Sequence, residues 1–199
     1  MRSSSQALLF GWAALLLATS ACATGSHEVP RPTTTVSPAF DARVYRRVAV
    51  YAKSNVRGIS EGGLRQVEDQ FMQALLSRGY IIAARSDLDE VLREQGLQRS
   101  EITEQVLARA GRALNATAVL LVTVNQVSAE RYRPAIRLEG QSYYLATAAI
   151  SARLVSAELA EVLWVGSYTG SVRVGSRRED EVALAPVAAV LASGFPRRQ

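Results

Sequence analysis

The chain has 199 residues, enough for one domain and a targeting segment, and 48% of them are hydrophobic, which excludes a disordered tail. Its formal net charge of +5 is scattered, with no basic tail, so nucleic acid is not an expected partner. A single cysteine excludes an internal disulfide, and a single histidine with no spare cysteine leaves a zinc site without ligands.

The first residues read as a processing signal. Arg2 supplies a positive start, and residues 7–18 (ALLFGWAALLLA) form an apolar run of signal-peptide size. That run is too short to span a bilayer as a helix, which takes roughly 20 residues. Thr19-Ser20-Ala21-Cys22 then resembles a lipobox, with Thr19 standing where leucine is usual. The expected product of residues 1–21 as signal is a chain beginning at lipidated Cys22, held in a membrane by more than one acyl chain. Ala23, not Asp, follows the cysteine and points to the outer membrane, periplasmic side. Residues 22–39 are rich in Thr, Ser and Pro and read as the lipidated cysteine with a flexible tether; His27 lies there.

From residue 40 a periplasmic domain is expected. Residues 47–52 (RVAVYA) read as a strand. Ser60 caps a helix carrying Leu64, Val67, Phe71, Ala74 and Leu75 at helical spacing, and Gly79 stops it. Residues 80–83 read as a second strand. Ser86 is expected to cap a helix with Asp87 and Asp89 in its first turn and Leu88, Val91 and Leu92 on its buried face, ended by Gly96. A further helix is expected from Ser100, with Asn115 as a left-handed stop, followed by the most apolar strand, residues 118–127, placed centrally.

Two alternating runs follow, residues 144–155 and 161–174. Ala146, Ala148, Ile150, Ala152 and Leu154 share one face of the first. Val162, Trp164, Gly166, Tyr168, Gly170 and Val172 share one face of the second, and the short link predicts a hairpin. Residues 181–193 read as a small-residue helix interrupted by Pro186. The expected fold is α/β, in the order β-α-β-α-α-β-β-β-α, with a mixed sheet of about five strands in one domain over residues 40–199. The first three strands are expected to be parallel and the last two to form an antiparallel meander.

Several of these segments together resemble the CsgG-like family, the lipoproteins of curli production and assembly and their envelope relatives. The carrying stretches are Val48-Ala49-Val50, residues 84–95 (ARSDLDEVLREQ), residues 110–122 (AGRALNATAVLLV), Ala152-Arg153-Leu154-Val155, and Glu161-Val162-Leu163-Trp164. The resemblance covers residues 46–175. It implies a lipid-anchored α/β domain without catalysis, working in assembly or secretion of envelope or surface components by binding other envelope proteins or by forming homo-oligomers. The alternative it implies is a periplasmic regulator that binds and activates a peptidoglycan-synthesising enzyme.

The pore-forming branch of that family needs lipid-facing hairpins of about 20 residues plus a turn. Here the loop expected over residues 128–141 is short and carries Glu130, Arg131, Arg133, Arg137 and Glu139, and residues 175–181 are shorter still and charged. This chain is not expected to form a channel alone.

No residue pattern points to catalysis or to a cofactor. Asp87, Asp89 and Glu90 read as helix capping and a solvated face, and Gly62-Gly63 as a turn rather than an anion loop. A Ser–His pair would have to use His27 in the tether. The expected partner-binding residues are Arg131, Tyr132, Arg133 and Arg137, because Arg and Tyr concentrate at binding hot spots.

Overall fold

The computed structural model describes residues 31–94, 96, 102–132 and 142–198. Cys22, His27, Arg133 and Arg137 lie outside them, as do Ser100 and most of the loop after residue 132. The elements run β1 (Thr33–Val36), β2 (Arg47–Ser54), α1 (Glu61–Ser77), β3 (Ile81–Ile82), α2 (Arg85–Glu94), α3 (Glu104–Ala113), β4 (Ala118–Tyr132), β5 (Tyr143–Ser156), β6 (Val162–Val174), a 3-10 turn (Arg177–Ala183) and α4 (Leu184–Ser193).

They build one mixed sheet of six strands, ordered β1-β6-β5-β4-β2-β3. β2 is parallel to β3 and β4, whereas β4, β5, β6 and β1 are antiparallel in turn. The α/β class, the parallel first three strands of the expected order, the central apolar strand and the terminal meander are as the pattern dictates. The sixth strand is the difference. Thr33–Val36 falls in the stretch expected as tether, yet it pairs with β6 from Thr33 opposite Ser167 to Val36 opposite Trp164.

Two cores lie on the two faces. The larger packs Leu64, Phe71 and Leu75 of α1 and Leu184, Val187 and Leu191 of α4 against Val50, Leu120, Ile150, Leu154 and Trp164. The smaller packs Leu88 and Leu92 of α2 and Leu107 and Ala110 of α3 against Ala49, Tyr51, Val119 and Leu121. β2 and β4 therefore bury both faces over this stretch, which is why they read as continuous apolar runs while β5 and β6 alternate.

Several local expectations shift by a residue or two. Ser86 does not cap α2; it sits inside the first turn, its hydroxyl bonded to Asp87. α3 starts at Glu104 behind Thr103, whose Oγ1 accepts from Val106 N–H. Gly79, Gly96 and Asn115 take the left-handed backbone expected of helix stops. Pro186 does not interrupt α4 but occupies its first turn, where a missing N–H costs no helical bond.

β4 is longer than expected. It carries an extra residue at Asn125, after which its alternation resumes in the opposite phase, and Ser128–Tyr132 continues the strand beside β5. A second irregularity, at Leu163, turns Val162 away from the face shared by Trp164 and Gly166.

Candidate functional site

The sheet has two distinct ends. β4 and β6 finish, and β5 starts, at one end, here termed the tip. β2 and β4 start at the other, the base. At the tip Tyr132 stands opposite Tyr143 across the β4–β5 ladder, their ring centroids 5.2 Å apart. The Arg173 guanidinium from β6 sits over the Tyr143 ring, 3.5 Å from its centroid. Tyr132 is 48% exposed. Arg131 points to the other side of the strand and donates to Ser142 Oγ at 2.8 Å. Of the four expected partner-binding residues, the structure thus brings Arg131 and Tyr132 to the tip. Tyr143 and Arg173, which sequence reasoning did not single out, join them there through strand register.

The tip continues into an uncovered surface. α2 and α3 pack over β2 and the first part of β4, and no helix among the described residues lies over β1, β6 and most of β5 on that side. Along β6 this face presents Val165, Ser167, Thr169, Ser171 and Arg173, all exposed, and along β5 it presents Thr147, Ser151 and Arg153. The Thr147 and Ser171 hydroxyls share a bond at 2.8 Å. The result is a flat, hydroxyl-rich face some 13 residues long, the span of β6.

Where α3 meets this face, a cleft of about 620 Å³ is lined by Lys53, Asn55, Glu104, Asn125, Ser151 and Arg153 among others. Its charged groups are engaged internally: Arg153 pairs with Glu104 at 2.7 Å and Lys53 donates to the Ile102 carbonyl at 3.1 Å.

The start of α1 is closed to outside anions. Ser60 Oγ accepts from Gly63 N–H at 3.0 Å, and Glu181 reaches across to accept from Ser60 N–H at 2.8 Å and from its hydroxyl at 2.5 Å. A Cβ on Gly63 would stand 2.6 Å from Glu181 Oε2, so Gly63 makes room for the protein's own carboxylate. Asp87, Asp89 and Glu90 lie along α2, and among the described residues no three His, Cys, Asp or Glu side chains gather closely enough to hold a metal ion.

No family model matches the chain, and no curated protein matches it in sequence. Solved structures similar to it include a PelC dodecamer from Paraburkholderia phytofirmans, 15% identical, covering 82% of this chain and 97% of that one at a TM-score of 0.46. Lipoprotein GNA1162 from Neisseria meningitidis is 20% identical, with 65% and 83% covered and a TM-score of 0.45. The C-terminal domain of LpoB from Escherichia coli is 14% identical, with 64% and 82% covered and a TM-score of 0.43.

Proposed function

We propose that this chain is a lipid-anchored envelope protein, held at the periplasmic side of the outer membrane through Cys22. In this reading it serves assembly or export of envelope components by contacts with other proteins rather than by chemistry, as its resemblance to the CsgG-like family implies. The observation that supports the contact role is the uncovered part of one sheet face: α2 and α3 cover it over β2 and the first part of β4, and among the described residues the rest of that face is left open to another surface. The Tyr132–Tyr143–Arg173 cluster closes that face with the residue types that anchor interfaces.

The test is site-specific photo-crosslinking in cells, with the reactive residue at Thr169 on the bare face or at Gln73 on the exposed side of α1. Discrete adducts from position 169 and none from 73 are expected. Absence of adducts from both positions, in a protein shown to be folded and membrane-associated, would overturn the contact role. The alternative role, activating a peptidoglycan synthase, has to work with less free tether than the sequence promised, since only ten residues lie between Cys22 and Thr33.

A further inference from the structure

The cleft of about 620 Å³ beside α3 has a floor made by three neighbouring strands and a wall made by the start of that helix. Lys53 of β2 stands opposite Thr123 of β4, and Thr123 opposite Ser151 of β5, so these side chains share one face of the sheet. Arg153 joins them on that face, opposite the buried Leu121. The extra residue of β4 supplies one group more. Asn125 is the bulge residue, and its amide turns over the floor, accepting from Asn55 Nδ2 at 3.2 Å and donating to Ser151 Oγ at 2.9 Å. The bulge interrupts the ladder of a central strand, and in return it completes a row of polar groups, Asn55–Asn125–Ser151, from β2 to β5.

Two cations and one carboxylate line the cleft. Lys53 Nζ uses one of its three N–H groups on the Ile102 carbonyl at 3.1 Å. Arg153 Nη1 pairs with Glu104 Oε1 at 2.7 Å, which leaves the rest of its fork open among the described residues. That pair is itself open to water: the Arg153 side chain is 56% exposed and that of Glu104 31%, so it contributes little. Glu104 is thus an internal carboxylate on Arg153 that an incoming one can replace at small cost. The positive end of the α3 dipole, at Thr103 and Glu104, adds to the same field.

A peptide end has the chemistry that fits. Its carboxylate supplies one negative charge, against the single excess positive charge of Lys53 and Arg153 over Glu104, and two coplanar oxygens for the guanidinium fork. The amide row offers acceptors as well as donors, which the last peptide groups of an extended chain use and an inorganic anion does not. The floor runs on into the bare face, because Arg153 stands opposite Val165 of β6. A chain lying along that face meets the wall of α3 here, where a chain end can stop and a continuing chain would have to turn away.

We propose that the cleft receives the C-terminal carboxylate of an extended peptide, held by Arg153 and Lys53, with its last amide groups on Asn55, Asn125 and Ser151. This deepens the contact reading and rests on it for the source of the peptide: a partner lying on the bare face ends its chain in the cleft.

The test is an NMR titration of the isotope-labelled mature chain in detergent micelles, following the side-chain amide signals of Asn55 and Asn125. The probes are acetyl-Gly-Ala-Ala with a free carboxylate, the same peptide ending in a carboxamide, and inorganic phosphate. The free acid should shift both signals to saturation and bind about tenfold more tightly than the carboxamide. R153Q should weaken the acid about tenfold, and R153K, which keeps the charge without the fork, should fall between it and the parent. E104Q releases Arg153 and should strengthen binding about threefold. R109Q, at an exposed arginine further along α3, should bind as the parent does. Opposite effects from the two halves of one ion pair separate ligand binding from support of the fold, and the dispersion of each spectrum shows that the variant has folded. No saturating shift, equal binding of acid and carboxamide, or weakening by E104Q as well as R153Q would each overturn the proposal. So would phosphate shifting the same signals as strongly as the acid, since the cleft would then hold any anion. The peptides need no partner, so a failed titration leaves crosslinks from Thr169 standing, and a chain without crosslinks can still bind the free acid.

Discussion

Glu68 of α1 points inward and meets Arg85 of α2 across the edge of the sheet, with Oε2 2.7 Å from the guanidinium Nε. The carboxylate is only 3% exposed, and its other oxygen accepts from Ala52 N–H of β2 at 2.9 Å. One side chain thus joins a helix on each face of the sheet to the strand between them. Replacing Arg85 with Ala leaves that buried charge without its cation and should destabilise the fold by about 3 kcal/mol. A urea midpoint unchanged from the parent would show the pair to be dispensable.

The indole of Trp164 packs closely against Gly166. A Cβ at Gly166 would stand 2.6 Å from the indole Cη2 and 2.9 Å from Leu191 Cδ1. Gly166→Ala should therefore cost about 1–3 kcal/mol by overpacking and disturb the tryptophan environment. Thermal unfolding followed by tryptophan fluorescence checks both, and a parent-like melting curve and spectrum would contradict the packing.

Tyr80 packs edge-on against Phe195, and its hydroxyl donates to the Pro196 carbonyl at 3.3 Å. Burial pushes its pKa up to about 12, although Arg198 and Arg78 pull the other way. The folded phenol stays protonated where the unfolded one ionises near pH 10, so the stabilisation is complete below that pH and is lost as pH rises from about 10 to 12. Denaturation midpoints measured across that window should fall in the parent and fall less in Tyr80→Phe. Identical slopes would exclude Tyr80 as the source.

At the tip, Arg131→Ala with Tyr132→Ala should leave stability within about 0.5 kcal/mol, because both side chains are exposed at a strand end. Capture of envelope proteins from solubilised membranes should weaken. Unchanged capture by the folded double variant would remove these residues from the contact surface.

Cys22→Ser should shift the chain from the membrane fraction to the soluble periplasmic fraction, since a protein without acyl chains has lost its anchor. Persistence in the membrane fraction after high-salt and carbonate washes would contradict lipid anchoring at that residue.

The sequence made some elements legible and concealed others for identifiable reasons. α1 is readable because Leu64, Val67, Phe71 and Leu75 all fall on one buried stripe, and β5 because Ala146 through Leu154 alternate without a break. β1 escapes because its four side chains are all exposed, so Thr33–Val36 shows no alternation and its threonines and neighbouring prolines resemble a linker. The last third of β4 escapes because the extra residue at Asn125 breaks the phase and polar residues follow. At the tip, Arg131 and Tyr132 were visible as a local Arg/Tyr run, whereas Tyr143 and Arg173 reach them only through strand register. The hollow that Arg43 and Arg197 share at the base was hidden altogether, because the two stand far apart in the sequence and meet only in the folded chain.

The pairing of Thr33 with Ser167 closes a loop of 134 residues. Such a closure carries a large entropic penalty and rewards it with an edge strand of only four residues. β1 should be the last strand to dock in folding and the first to fray. For a chain that crosses a membrane N-terminus first, the leading segment must wait for the trailing third before it finds its place. Enzymes acting at the start of the chain would meet an extended, unpaired peptide throughout that interval.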